Sequence, residues 1–342
     1  MRIAVSGLGS LGLVIGGILQ DTGYDVTLID SPAGNNTEII NSNGIKVLGY
    51  KDEFISCRCI LPQDAKETFD VVFSLTKQLQ LEDSLKDLKG CIGDTTIVVT
   101  CQNGIPEDEA IKVLPQKNVI GCSIAWGATR IKPGISQITT PPEKMDMVIG
   151  ELDGEITERL NIISNLLKSI GKTEITINIK GIKWTKLIMN SNFMGPCGVL
   201  GCTLGEVLLD KSLVKYVPYI ALEGTKIYKA LGMPLETLQS FTPDVELLNF
   251  NSQKEREKII NDIIYKVWLK LKDIKPSMVQ DLEKGRKTEI DYINGKIVEE
   301  GNRLNIPTPV NSFFVNTIKR IESGEFKPSM ENRSLLNELE IQ

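Results

Sequence analysis

The chain has 342 residues, 41% of them hydrophobic and 24% charged, enough for two ordinary domains that each bury a core. Its net charge of −5, with lysine and arginine scattered among acidic residues, leaves no nucleic-acid footprint. No apolar stretch approaches the roughly 20 residues that span a bilayer, and the first residues read as a strand rather than a secretory leader, so a cytoplasmic protein is expected.

The chain opens with a short β run, Arg2–Val5, then Gly7-Leu8-Gly9-Ser10-Leu11-Gly12, then an apolar helical stretch to about Thr22. A second β run, Asp25–Ile29, ends on Asp30. Further β runs follow at Asp70–Leu75, Thr95–Cys101 and Val119–Ala125, interleaved with helical patterns at Gln78–Leu88 and Pro106–Leu114. Strands alternating with helices predict an α/β fold with a parallel, doubly wound sheet of Rossmann type. Turn signals at Pro133-Gly134, Pro141-Pro142 and Asp153-Gly154 punctuate short strands, and a helix over Ile156–Ile170 closes this domain. After Thr173–Asn178 the texture becomes helical, at Trp184–Leu200, Lys211–Leu231, Gln253–Leu271 and Met278–Leu304. The expected domains are therefore residues 1–178, binding a dinucleotide, and residues 179–342, a mostly α-helical substrate and dimerisation domain. The polar stretch from Pro328 is expected to fray.

A glycine-rich turn between strand and helix has a physical reason. Gly7 makes the tight turn, Gly9 lets a pyrophosphate approach the backbone, and Gly12 lets helix and strand pack closely. The helix N-terminus, with Leu8, Ser10 and Leu11 completing the loop, then faces the phosphates. Asp30 stands where a carboxylate accepts from the ribose 2′-hydroxyl and repels a 2′-phosphate, and Ser31-Pro32-Ala33-Gly34 carry no arginine. NADH is thus expected to be favoured over NADPH as cofactor, the alternative being that Asp30 only caps a turn.

The chain has no histidine. That removes the histidine–carboxylate proton relay, the serine–histidine–aspartate triad and histidine-rich metal sites. A general acid must then be Lys, Tyr, Cys, Asp or Glu. The seven cysteines form no regular framework and read as reduced, buried thiols, and Cys57-x-Cys59 lacks partners for a metal site. No metal is expected.

Five separated segments carry a resemblance. They are the Gly7–Gly12 loop; Ser74-Leu75-Thr76-Lys77-Gln78-Leu79-Gln80; Gln102-Asn103-Gly104; Trp184-Thr185-Lys186-Leu187-Ile188-Met189-Asn190; and Pro276-Ser277-Met278-Val279-Gln280-Asp281 with Thr288-Glu289-Ile290-Asp291-Tyr292-Ile293-Asn294-Gly295. In this order they resemble the ketopantoate reductases (2-dehydropantoate 2-reductases). The resemblance implies NAD(P)H-dependent reduction of a 2-oxo acid, 2-dehydropantoate to pantoate, with Lys186 as proton donor. It further implies Lys77 and Asn103 at the junction of nicotinamide and substrate, Asn190 and Ser277 as substrate ligands, Glu289 as a positioning carboxylate, and Ala128 as a backbone contact to the cofactor.

The residues support this independently. A carbonyl that receives hydride needs a proton and a nearby positive charge, which an ammonium supplies. Lys186 and Asn190 stand at i and i+4 on a predicted helix and share a face. Asn103 follows a strand's C-terminal end, where ligands bind in open α/β sheets. Two departures bear on the substrate: Met194 stands where the family places an asparagine, and Leu204-Gly205-Glu206 where it favours Asn-Gly-Glu. These leave open a related, more apolar or opine-like 2-oxo acid. A non-catalytic dinucleotide sensor is a third reading. Tyr292-x-x-x-Lys296 matches the spacing of short-chain dehydrogenases but falls inside a segment already explained. The partner is a small 2-oxo acid, with no nucleic acid and no membrane; the oligomeric state stays open, a homodimer included.

Overall fold

The computed structural model describes residues 1–32 and 34–339. The chain divides into two compact units, Met1–Lys180 and Gly181–Gln342.

The first unit contains strands β1 (Arg2–Ser6), β2 (Asp25–Ile29), β3 (Lys46–Leu48), β4 (Arg58–Ile60), β5 (Phe69–Ser74), β6 (Ile92–Thr100), β7 (Val119–Ile124), β8 (Ala128–Lys132), β9 (Ile135–Ile138), β10 (Asp146–Glu151) and β11 (Lys172–Ile175). Its helices are α1 (Ser10–Asp21), α2 (Thr37–Asn43), α3 (Leu81–Asp87), α4 (Pro106–Val113) and α5 (Glu158–Leu167). Eight strands form one sheet in the order β11-β10-β7-β6-β5-β1-β2-β4. Each of its pairs is parallel except β7 with β10, so the expected Rossmann-type sheet is present with one antiparallel insertion. Ile3, Ala4 and Val5 are all buried, as befits a parallel strand covered on both faces. Helix α1 is buried from Gly12 to Leu19, more than one amphipathic stripe would give. The reason is a second sheet, β3-β9-β8, that packs on α1 from the side away from β1 and β2. The sequence pattern had only hinted at short strands here.

The second unit is helical: α6 (Ile179–Leu200, beginning in the first unit), α7 (Leu204–Leu209), α8 (Lys211–Val214), α9 (Val217–Ala230), α10 (Val245–Leu248), α11 (Gln253–Ile259), α12 (Tyr265–Trp268), α13 (Ser277–Glu283), α14 (Asn294–Leu304) and α15 (Pro309–Glu322). Bare glycines let α6 sit deep among its neighbours. A side chain at Gly224 of α9 would crowd Ile188, and one at Gly195 of α6 would crowd Phe314 of α15. Glu223 holds the start of α15 by accepting from the Val310 and Asn311 amides at 2.8 and 2.9 Å and from Asn311 Nδ2 at 2.7 Å. Burial nevertheless pushes its carboxyl pKa above the ordinary value.

Three expectations need correction here. The pattern over Met278–Leu304 is two helices, because Gly285 takes a left-handed φ of +63° and a polar run follows it. Between α11 and α12, Ile260–Ile264 forms a π turn, so Gln253–Leu271 is no single regular helix. The tail is tied down within its described residues, 328–339. Leu336 is buried, Tyr216 donates to its carbonyl at 3.0 Å, and Asn332 Nδ2 donates to the Val199 carbonyl at 2.9 Å.

Candidate active site

In the first unit, register does the assembling. Ser6 of β1 pairs with Ile29 of β2 and with Ser74 of β5, and Ser74 pairs with Thr100 of β6. These strands therefore end at one level, and the loops that leave them share one edge of the sheet. Those loops carry Gly7–Gly12, Asp30, Lys77 and Asn103. A Cβ on Gly7, whose φ is +97°, would collide with the Thr76 amide, and one on Gly12 would collide with the Gly7 carbonyl. A Cβ on Gly9 would meet nothing within 4 Å. The turn is thus closed behind and open in front of the α1 N-terminus, a cradle that fits a dinucleotide's pyrophosphate. Lys77 and Asn103 are half-buried on this edge, and Gln102 beside Asn103 donates to Ser74 Oγ at 2.9 Å. Ala128 is the first residue of β8, in the smaller sheet.

Asp30 directly follows β2, where the sequence places it. It is 3% exposed, and its two oxygens accept from the Asn36 amide at 2.7 Å and from Asn36 Nδ2 at 2.8 Å. The carboxylate organises its own turn, with one accepted bond on each oxygen. Arg130 of β8 donates through Nη2 to the Gly34 carbonyl at 3.1 Å and to Asn36 Oδ1 at 3.0 Å. A separation of 94 residues from Asn36 hides this pairing from any local reading.

In the second unit the chemistry-bearing residues lie on α6. From Gly181 to Leu200 every residue is buried except Lys186, Asn190 and Met194. These stand at i, i+4 and i+8, one line along the helix. The polar–apolar order of that line matters for what it can hold: an ammonium, then an amide, then a thioether. Pro196 follows inside the helix, removing the amide that would otherwise bond the Asn192 carbonyl. Ser277 is exposed at the start of α13, and a side chain at Gly198 of α6 would touch its neighbour Met278. Glu289 is half-buried ahead of the short turn Ile290–Tyr292, where the preceding Thr288 is fixed by Glu322 at 2.7 Å.

The short-chain pattern dissolves on inspection. Tyr292 belongs to a 3₁₀ turn, and Lys296 of α14 is ion-paired with Glu299 and Glu300, each at 3.2 Å. All seven cysteines are buried and outside any disulfide. Burial drives the thiols of Cys57 and Cys59 each up to about 12, far from a reactive thiolate. Among the described residues no group of three or more His, Cys, Asp or Glu could hold a metal ion, and no helix is long and apolar enough to cross a membrane.

Two family models match the chain in order: ketopantoate reductase PanE/ApbA over residues 3–154 and its C-terminal counterpart over residues 178–322. The chain belongs to the ketopantoate reductase family. Its family is one of NAD(P)-dependent oxidoreductases. The 2-dehydropantoate 2-reductase of Pyrococcus horikoshii is 29% identical over 324 residues, covering 94% of this chain and 98% of that one. Among solved structures, a D-mandelate dehydrogenase with NADH and anilino(oxo)acetate superposes with a TM-score of 0.80 at 24% identity, covering 95% of this chain and 99% of that one. The 2-dehydropantoate 2-reductase of Geobacter metallireducens does so with a TM-score of 0.79 at 22% identity, covering 94% and 99%. At these identities the structural likenesses speak for the fold.

Proposed function

We propose that this ketopantoate reductase-family chain reduces a 2-oxo acid to the 2-hydroxy acid, with 2-dehydropantoate as substrate and pantoate as product. The observation that carries the reading is the half-buried line Lys186–Asn190–Met194 on a helix buried on its other faces from Gly181 to Leu200. An ammonium and an amide one turn apart on that strip suit a polar, negatively charged ligand.

When bound, NAD(P)H supplies the hydride. Gly7, Gly9 and Gly12 would hold its pyrophosphate, with Leu8, Ser10, Leu11 and the backbone at Ala128 alongside; Lys77 and Asn103 would lie toward the nicotinamide. Lys186 Nζ gives a proton to the substrate's carbonyl oxygen, and its charge stabilises the negative charge developing there. Asn190, one turn along, is placed to bond the substrate's polar oxygens, with Ser277 and Glu289 as further positioning groups. No histidine is needed for any of these steps.

A second substrate reading has a specific support. Met194 completes the α6 line with an apolar, adaptable side chain, which suits a 2-oxo acid with an apolar substituent better than one with a hydroxyl. The test is turnover of 2-dehydropantoate against 2-oxo acids bearing branched or aromatic substituents, with hydroxy acid formed measured against cofactor oxidised. One-to-one stoichiometry with 2-dehydropantoate preferred supports the first reading, and preference for an apolar substituent supports the second. A protein that binds cofactor yet reduces none of them is a binding module and not this enzyme.

A further inference from the structure

We infer that Asn294, which the proposed reaction leaves without a role, is a positioning residue for the substrate: it places Asn190 by holding the next carbonyl along α6. This rests on the reading of Lys186, Asn190 and Met194 as the substrate-facing line and deepens it.

A helix ordinarily fixes its own side-chain line through its ladder of backbone bonds from one turn to the next. Helix α6 cannot do so along its whole length. Pro196 lies inside it and offers no amide to the Asn192 carbonyl, so one rung is missing in the turn that follows Asn190. Helices bend at such a proline. Nor does the Asn190 side chain anchor itself, since its Nδ2 is buried without a hydrogen-bond partner among the described residues. The direction of Asn190 relative to Met194 therefore depends on what grips α6 from outside.

Asn294 supplies the grip. It is the first residue of α14 and fully buried. Its Nδ2 donates to the Ser191 carbonyl at 3.1 Å and to Asn311 Oδ1 at 2.9 Å. Turned over, the amide would set its oxygen against both of those oxygens, so its orientation is fixed. Asn311 is oriented in turn. Its Nδ2 donates to Glu223 Oε2 at 2.7 Å and to the Ile220 carbonyl at 3.3 Å, which leaves Oδ1 for Asn294. Glu223 is a firm acceptor at the head of α15, because it also takes the amides of Val310 and Asn311. A series of buried side chains, Glu223, Asn311 and Asn294, thus ties α9, α15 and α14 to α6 one residue past Asn190, beside the missing rung. Asn294 Oδ1 has no partner among the described residues, and a buried acceptor left unsatisfied costs stability. A leucine would fill the space without that cost; what the asparagine provides is the hold on Ser191.

The test compares Asn294→Ala with wild type and with Tyr216→Phe, a stability control that loses a buried donor to the Leu336 carbonyl in the same unit. Melting temperature is measured with kcat and KM for the 2-oxo acid at saturating NAD(P)H. Calorimetry gives the Kd of the corresponding 2-hydroxy acid with oxidised cofactor bound. Misplacing Asn190 loosens a hydrogen bond to a charged ligand, so KM and this Kd should each rise about tenfold or more in Asn294→Ala. Its kcat should stay within about threefold of wild type, because Lys186 lies before the missing rung. Tyr216→Phe should lower the melting temperature and move neither constant. A role in folding alone gives the opposite pattern, fewer active molecules and hence a lower apparent kcat at unchanged KM, and that result overturns the inference. Should Asn294→Ala not fold, Asn294→Ser, which keeps one donor, is read in the same way. Failure of both to fold overturns the inference too, since the residue then serves the fold alone. If the wild type neither reduces a 2-oxo acid nor binds a 2-hydroxy acid, the proposed function itself falls and takes the inference with it.

Discussion

The two units carry their chemistry in different materials. In the first, the phosphate cradle is backbone: three glycines, a strand level and a helix N-terminus, with side chains excluded by collision at Gly7 and Gly12 and absent at Gly9. In the second, it is a line of three side chains on α6, each held by a helix that is buried on its other faces. A backbone cradle can hardly change its ligand class without changing the fold. A side-chain line can: replacing one residue on it alters what is recognised and leaves the packing alone. On the proposed function, Met194 is where that freedom would show.

The sharpest way to separate the two is Lys186→Ala. Turnover should fall by about 10²–10⁴-fold, the usual contribution of general acid catalysis, measured as kcat with saturating cofactor. Tyr292→Phe should leave kcat close to wild type; the reverse outcome would return the short-chain mechanism to consideration. Next in size are the glycines. Gly9→Ala adds a methyl to open space, so thermal stability should stay within about 0.5 kcal/mol while dinucleotide affinity drops about tenfold or more. Gly12→Ala drives a methyl into the Gly7 carbonyl and should cost about 1–3 kcal/mol of stability as well. Equal effects of the two on melting temperature would break the picture of a turn closed behind and open in front.

Met194→Asn probes the side-chain line directly. It should shift the kcat/KM ratio about tenfold toward hydroxyl-bearing over apolar 2-oxo acids, with cofactor affinity and melting temperature unchanged. The smallest effect is a null one: at pH 8 a thiol reagent should find no fast-reacting cysteine in the folded chain, because burial holds Cys57 and Cys59 up near 12, and seven should react after denaturation. Rapid labelling of the native chain would contradict that burial.

Much of this was readable from the residues, for identifiable reasons. Strand β2 ends where the pattern ends it, at Ile29, because a parallel strand buried on both faces is an apolar run with sharp polar limits. The α6 line was readable because Lys186, Asn190 and Met194 keep helical spacing. The small sheet was not, since β3 and β9 have three and four residues and derive their stability from packing on α1. The helix break near Gly285 was hidden by periodicity resuming in α14 at a compatible phase. The bonds of Arg130 to Gly34 and Asn36 were not legible either, because they join β8 to a turn 94 to 96 residues away.

The division of labour between the units is tested most directly by the equilibrium dissociation constant of NADPH for Lys186→Ala, measured by fluorescence beside wild type and Gly9→Ala. The account predicts a value within about twofold of wild type, with the variant's melting temperature unchanged and its kcat nearly lost. A weakening as large as that of Gly9→Ala would contradict it, making Lys186 a holder of the cofactor.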